Sequence, residues 1–324
     1  MQFTLSELNQ AAEEVYQFQS PTSQYSWPLL NKALGTQLWV KHENHTSTGA
    51  FKVRGGITFL NWLKQQHPTC AGIATATRGN HGQSQARAAT QMGLSSTVFV
   101  PHGNSAEKNN AMRSFGAELI EHGVDFDEAR IAGQQYAADN GLFWVPSFHA
   151  SLVGGVASYG LELMTAVPDL DRIYVPIGCG SGICGLIAAR DALKLKTEIV
   201  GVVSSEAQSA KLSFEAGKMI STETAKTFAD GMAVRVPVEE AFNVYRQGAS
   251  HVVAVSDDEV AQAIRLYYTA THNVAEGAGA APLAAALQES HMLSGKKVAV
   301  ILCGGNIDTD WFMQVMQGGT PSVD

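Results

Sequence analysis

The sequence has few cysteines, and their spacing argues against a disulfide framework or a zinc site. The 324-residue chain contains four of them, Cys70, Cys179, Cys184 and Cys303, and no two form a C-x-x-C pair. Four scattered thiols are too few to staple a small core, and they lack the ligand spacing of a zinc site. We expect free thiols in a reducing compartment and no bound metal.

Long apolar runs and an excess of positive charge are also missing. No apolar run approaches the roughly 18 residues that a membrane-crossing helix needs, and residues 1–4 lack a basic signal-peptide region. Charged residues make up 16% of the chain, and 30 acidic residues outnumber 22 basic ones. This balance disfavours nucleic-acid binding. We expect a cytoplasmic protein without a membrane or nucleic-acid partner.

Apolar residues are abundant and follow alternating strand and helix patterns. They make up 45% of the chain, enough for a large core. Thr4 and Glu7 have the capping-box spacing of a first helix. Short β-rich runs then alternate with helical segments, which predicts an α/β fold of two domains, each a mostly parallel, open twisted sheet flanked by helices. The pattern places the domain boundaries near residues 70 and 148. The predicted strands are 38–40, 73–75, 97–100, 118–120, 143–145, 172–177, 198–203, 251–255 and 297–302.

A glycine-rich segment after the strand at 172–177 predicts an anion-binding loop. It contains Gly178, Cys179, Gly180, Ser181 and Gly182, followed by Ile183-Cys184-Gly185 at the start of a predicted helix. Its backbone amides and the helix N-terminus favour a phosphate. Because Gly180, Gly182 and Gly185 match G-x-G-x-x-G and Glu206 lies about 20 residues beyond, a dinucleotide site is one interpretation. Its position after another α/β layer favours a single phosphate monoester, and a plain strand-to-helix turn stays open.

Two further segments carry chemically capable residues. Lys52 stands between Phe51 and Val53, where partial desolvation would lower its pKa and suit Schiff-base chemistry, although a surface lysine is the alternative. Residues 77–83, which we call the asparagine loop, join a strand to a helix. Backbone amides beside Gly79 can bind a carboxylate there, although an ordinary helix start with Asn80 near its cap is also possible.

Together with Cys303-Gly304-Gly305-Asn306, these segments resemble the fold-type II pyridoxal-phosphate enzymes of the serine/threonine dehydratase and serine racemase branch. The motifs occur in the family's order, and Ala229-Asp230-Gly231 and Glu276-Gly277-Ala278-Gly279 are further matches. The resemblance implies the tryptophan synthase β-like fold. It also implies that residues 1–70 with 149–324 form a large cofactor-binding domain, and that residues 71–148 form a small, mobile substrate-binding domain.

The resemblance also assigns the site residues. Lys52 would bind pyridoxal 5′-phosphate covalently and remove the substrate's α-proton, Cys303 would face the ring nitrogen, and Asn80 would contact the phenolic oxygen. The other cofactor-binding residues would be Phe51, Gly178, Cys179, Gly180, Ser181 and Gly182. The substrate-binding residues would be Thr77, Arg78, Gly79 and His81.

The implied reaction is dehydration and deamination of a β-hydroxy-α-amino acid by a homodimeric lyase. Its products would be a 2-oxo acid and ammonia, and serine or threonine would be the default substrate. Arg78 stands where serine racemases carry a proton-donating serine, and arginine is a poor proton donor at neutral pH. It could instead pair with 3-hydroxyaspartate or stack on 3-phenylserine. A NAD-dependent oxidoreductase and a non-catalytic cofactor-binding module remain as alternatives.

Overall fold

Helices and strands alternate along the computed structural model, which describes residues 1–323. The helices are α1 (Leu5–Tyr16), α2 (Pro28–Leu34), α3 (Lys52–Gln66), α4 (Asn80–Gln91), α5 (Ala106–Ser114), α6 (Phe126–Asp139), α7 (Ala150–Ala166), α8 (Ser181–Ala192), α9 (Ser209–Ala216), α10 (Glu239–Gly248), α11 (Asp257–Thr271), α12 (Gly277–Gln288) and α13 (Thr309–Met316). The strands are β1 (Gln24–Ser26), β2 (Gln37–His42), β3 (Gly72–Ala76), β4 (Ser95–Val100), β5 (Glu118–Glu121), β6 (Phe143–Trp144), β7 (Arg172–Pro176), β8 (Glu198–Ser204), β9 (His251–Val255) and β10 (Lys297–Leu302).

The predicted capping box begins the first helix. The Glu7 backbone N–H donates to Thr4 Oγ1 at 3.2 Å, and the Thr4 backbone N–H donates to Glu7 Oε2 at 2.7 Å. These bonds satisfy amides that have no acceptor within the helix. Leu8, Ala12 and Val15 then lie on the buried face of α1. The prediction of this helix is confirmed.

The larger sheet has six strands in the order β1-β2-β10-β7-β8-β9. β1 pairs antiparallel with β2, and every other neighbouring pair is parallel. The parallel strands β7, β8 and β10 are buried almost throughout, as expected for a sheet covered by helices on both faces. α12 supplies part of that cover, and nearly all of its small apolar residues are buried.

The smaller sheet has four parallel strands in the order β5-β4-β3-β6, all contributed by residues 72–144. Two mostly parallel sheets flanked by helices confirm the predicted fold class. The division at residues 70 and 148, and movement of the smaller part, stay predictions.

The chain motifs follow the carboxyl ends of parallel strands. The asparagine loop follows β3, the glycine-rich loop follows β7, and Cys303 follows β10. Carboxyl ends of parallel strands share one edge of a sheet, where ligands of α/β proteins bind. Within residues 1–323, no helix combines the length and hydrophobicity needed to cross a bilayer.

Candidate active site

Lys52 lies at the start of α3, where its amine meets the glycine-rich loop. Its Nζ donates to Ser181 Oγ at 3.2 Å and lies 5.0 Å from the centre of the Phe51 ring. The Phe51 backbone N–H donates to the Cys303 carbonyl at 2.9 Å, which ties this segment to the end of β10. Burial lowers the pKa of Lys52. A lowered pKa raises the fraction of neutral, nucleophilic amine.

Arg54 anchors the same helix turn from inside the protein. It is fully buried, and its guanidinium donates to Glu43 Oε1 and Oε2 at 2.9 and 2.7 Å and to Glu162 Oε1 and Oε2 at 2.6 and 3.0 Å. Lys41 Nζ lies 2.5 Å from Glu162 Oε2. Two cations thus balance two carboxylates, so none of the four buried charges lacks an opposite charge. Sequence reasoning did not identify this network, because Arg54, Glu43 and Glu162 are brought together only by the fold.

Residues 178–182, here called the phosphate loop, include two glycines, Gly178 and Gly180, where the structure leaves no room for a side chain. A Cβ on Gly178 would lie 2.2 Å from the Gly231 carbonyl oxygen, and one on Gly180 would lie 2.5 Å from the Ala241 Cβ. Gly180 also has a φ of 96°, which disfavours other residues. The loop leads into α8, whose first amides lack acceptors within the helix. A helix start of this kind is suited to binding an anion such as a phosphate group.

Asn80 joins the asparagine loop to the segment that precedes α12. Its Nδ2 donates to Glu276 Oε1 and Oε2 at 2.8 and 3.0 Å, and Asn306 Nδ2 donates to Asn80 Oδ1 at 2.8 Å. Burial and the nearby Asp230 raise the pKa of Glu276 to about 7. Glu276 and Asn306 belong to two of the sequence motifs that resemble the family, but the sequence did not indicate that either residue contacts Asn80.

The remaining residues of the asparagine loop differ in exposure. The Gly79 backbone N–H donates to Thr77 Oγ1 at 3.0 Å, and Thr77 is buried. His81 Nε2 is buried without a hydrogen-bond partner among the described residues, and burial with the nearby Lys52 charge lowers the pKa of His81 to about 3. The imidazole is therefore neutral at pH 7. Arg78 is exposed and forms no hydrogen bond or ion pair within residues 1–323.

Cys303 lies directly after β10 and is buried. Burial raises the pKa of the Cys303 thiol well above its usual range, so the thiol is neutral. Cys179, in the phosphate loop, is partly exposed, and Cys70, Cys179, Cys184 and Cys303 are all free. A neutral thiol suits an uncharged ring nitrogen, because it offers no carboxylate to stabilise a proton there.

These residues fit the cofactor that the sequence resemblance implies. The phosphate loop leads into α8, whose first amides are free to bind an anion, and the Lys52 amine lies beside it. The unpaired His81 Nε2 supplies a buried polar atom for a bound ligand. The site therefore combines backbone amides suited to an anion, an amine able to form a Schiff base and one unpaired polar atom.

Comparisons with known proteins agree with this geometry. The family described as pyridoxal-phosphate dependent enzyme matches residues 15–304. The chain is 38% identical to L-threonine ammonia-lyase of Geobacter sulfurreducens over 89% of this chain and 72% of that protein. It is 28% identical to L-threo-3-hydroxyaspartate ammonia-lyase of Saccharomyces cerevisiae, over 97% of each.

A solved structure, that of maize serine racemase, has the same fold over nearly all of the chain. Its TM-score is 0.91 at 25% identity, with 98% of each chain covered. These matches confirm the resemblance to the serine/threonine dehydratase and serine racemase branch. They give no support to a NAD-dependent oxidoreductase. The chain belongs to the fold-type II pyridoxal-phosphate enzymes, and pyridoxal 5′-phosphate is its cofactor.

Proposed function

We propose that the protein is an ammonia-lyase that dehydrates and deaminates a β-hydroxy-α-amino acid to a 2-oxo acid and ammonia. The main observation that supports the proposal is the hydrogen bond from the Lys52 amine to Ser181 in the phosphate loop. The named activities of the Geobacter and yeast relatives support the same reaction class. L-threonine and L-serine are the substrates we expect first.

Bound pyridoxal phosphate supplies an electron sink for negative charge at the substrate's α-carbon. Lys52 Nζ would hold the cofactor in the resting enzyme and would take the α-proton from the substrate. Ser181 Oγ, 3.2 Å away, orients that amine by accepting its hydrogen bond. Burial lowers the pKa of Lys52, which favours its role as a base.

The other proposed roles divide between the two loops. Residues 178–182 would hold the phosphate, while Asn80 and the neutral Cys303 thiol would contact the ring and Phe51 would pack against it. Thr77 and the amides of Gly79 and His81 bind the substrate carboxylate. The neutral His81 ring adds no charge at this place.

Racemisation is a second candidate because maize serine racemase shares the fold. Racemisation requires an acid on the face opposite Lys52, and the corresponding position here is Arg78. A guanidinium group is a poor proton donor. We therefore propose elimination with little racemisation, and recognition of the substrate side chain by Arg78.

A substrate panel tests the proposal. Purified holoenzyme would be incubated with L-threonine, L-serine, L-threo-3-hydroxyaspartate or 3-phenylserine, and 2-oxo acid, ammonia and D-amino acid would be measured. We expect equal amounts of 2-oxo acid and ammonia from at least one substrate and none from a Lys52→Ala variant. D-amino acid without 2-oxo acid would identify a racemase, and no product from any substrate would overturn the proposed lyase activity.

We also propose a homodimer in the cytoplasm. Exposed apolar side chains on α2, α11 and α13, namely Leu29, Tyr268 and Met313, could supply part of a subunit interface. The free thiols suit a reducing compartment. Sedimentation equilibrium tests the first proposal, and cell fractionation tests the second.

A further inference from the structure

The first turn of α5 lies against the asparagine loop. Lys108, in this turn, is buried, and its methylene groups cover Gly79. A Cβ placed on Gly79 would lie 3.1 Å from Cδ of Lys108 and 3.7 to 3.8 Å from its Cγ and Cε. The lysine stem therefore supports the backbone of the loop from behind.

The ammonium group of the same lysine contacts residues from the part of the molecule that contains the six-stranded sheet. Lys108 Nζ lies 2.5 Å from Asp230 Oδ2 and 3.7 Å from Asp308 Oδ2, and 5.8 Å from the centre of the Trp311 ring. Burial by itself would lower the pKa of Lys108, but the carboxylates of Asp230, Asp308 and Glu276 raise it. Lys108 is therefore charged at neutral pH and forms ion pairs with Asp230 and Asp308.

Two neighbours of Lys108 contact the same region. Ser105 Oγ donates to Asp308 Oδ1 at 2.5 Å, and the Thr309 backbone N–H donates to Glu107 Oε1 at 3.0 Å. Ser105, Glu107 and Lys108 thus join the start of α5 to the start of α13. A contact of this kind holds one orientation better than a single surface ion pair does.

Asp230 also connects to the phosphate loop. The next residue is Gly231, and its carbonyl oxygen packs closely against Gly178. A Cβ placed on Gly178 would lie only 2.2 Å from this oxygen. The chain of contacts therefore runs from Gly79 through Lys108 to the Asp230 turn and on to Gly178. It links the loop proposed to bind the substrate carboxylate to the loop proposed to bind the phosphate.

We propose that Lys108 is a positioning residue that sets the asparagine loop relative to the phosphate loop through Asp230 and Asp308. This inference rests on the proposed function, because it takes the asparagine loop as the substrate-carboxylate site. Lys108 neither holds the cofactor nor takes the α-proton. Its loss should therefore weaken substrate capture more than the step at Lys52.

Lys108→Met tests the inference, because methionine keeps most of the stem over Gly79 and removes the charge. We expect KM for the amino acid to rise about 10- to 100-fold, as for the loss of one charge-assisted contact, with kcat changed less than about threefold. Cofactor absorbance should stay unchanged. Amides of residues 79–83 should exchange hydrogen for deuterium faster, by about tenfold or more.

Two further variants make the result specific. Lys211→Met removes a lysine whose partner is the exposed Glu215 on the surface of α9, and it should change neither KM nor amide exchange. Asp308→Asn should raise KM less than Lys108→Met does, and it should add little in the Lys108→Met background, because both changes break one group of contacts. It supplies the test if Lys108→Met does not fold.

Amide exchange is measured without substrate, so it decides the inference even if no lyase activity is found. Faster exchange at residues 79–83 in Lys108→Met, but not in Lys211→Met, supports the positioning role. Unchanged exchange, or a fall in kcat with KM unchanged, would overturn it. Missing 2-oxo acid in the wild type would overturn the proposed function instead.

Discussion

Arg54 and Lys108 are both buried cations between two carboxylates, but they join different parts of the molecule. Arg54 is fully buried and bonds Glu43 and Glu162, whose side chains are 0% and 8% exposed. The partners of Lys108, Asp230 and Asp308, are 25% and 22% exposed. Arg54 links elements that surround the six-stranded sheet. Lys108 instead links the part of the molecule that contains the six-stranded sheet to the part that contains the four-stranded sheet.

The difference suggests separate roles for the two groups. Removing one member of a dry, neutral network leaves an unpaired charge inside the protein, which costs far more than breaking a partly hydrated pair. The Arg54 group, two residues from Lys52, should therefore govern folding and the position of the amine. The Lys108 group should govern how the substrate side of the pocket is held against the cofactor side.

Arg54→Met tests the more buried of the two charge networks. The variant leaves Glu43 and Glu162 with one cation, Lys41, and should lower the free energy of unfolding by about 3–5 kcal/mol. Urea denaturation of the wild type and the variant at pH 7 measures this change. Lys211→Met, in an exposed pair, serves as the control and should lose at most about 0.5 kcal/mol.

A loss below that of an exposed pair would show that the buried network contributes little. It would also remove the contrast drawn between the two cations.

Arg78→Ala sharpens the comparison on the substrate side, because Arg78 is exposed on the asparagine loop and has no partner within residues 1–323. If Arg78 recognises a bulky or acidic side chain, kcat/KM for that substrate should fall by about 1.5–3 kcal/mol, or roughly 10- to 150-fold. The loss on L-serine should be much smaller. Parallel kinetics on 3-hydroxyaspartate, 3-phenylserine and serine measure it, and an equal loss on all three would contradict the role.

Local sequence patterns predicted the sheets and the loops but not the contacts between them. The apolar runs of β7 and β10 and the capping box of α1 are local signals, and the structure confirms those elements. The edge strand β1 was missed because Gln24-Tyr25-Ser26 has no apolar alternation. The pairs Lys108–Asp230 and Asn80–Glu276 join residues 122 and 196 positions apart, and no spacing rule connects them.

Glu276 sharpens the comparison further because, among the described residues, it has no cationic partner within ion-pair distance. Burial and Asp230 raise its pKa from 4.5 to about 7, whereas Arg54 and Lys41 outweigh burial and lower the pKa of Glu162. A carboxyl group whose pKa is higher in the folded state than in the unfolded state stabilises the folded state most at a pH below its unfolded-state pKa. This stabilisation is lost as the pH rises through the folded-state pKa. Cofactor-free wild type should therefore lose stability between pH 5 and 8.

The Glu276→Gln variant removes this titration. Over that pH range, the wild type should lose about 1–2 kcal/mol more than the variant, as measured by urea denaturation at four pH values. Parallel pH profiles of the two proteins would mean that Glu276 titrates as an ordinary carboxylate.

The most direct test of the account is to find which lysine holds the cofactor. Borohydride reduction of the holoenzyme, followed by proteolysis and mass spectrometry, fixes the cofactor to the lysine that carries it. The structure places the Lys52 amine beside Ser181 at the phosphate loop, so the peptide containing Lys52 should carry the reduced phosphopyridoxyl group. Modification of another lysine, with Lys52 unmodified, would contradict the proposed site.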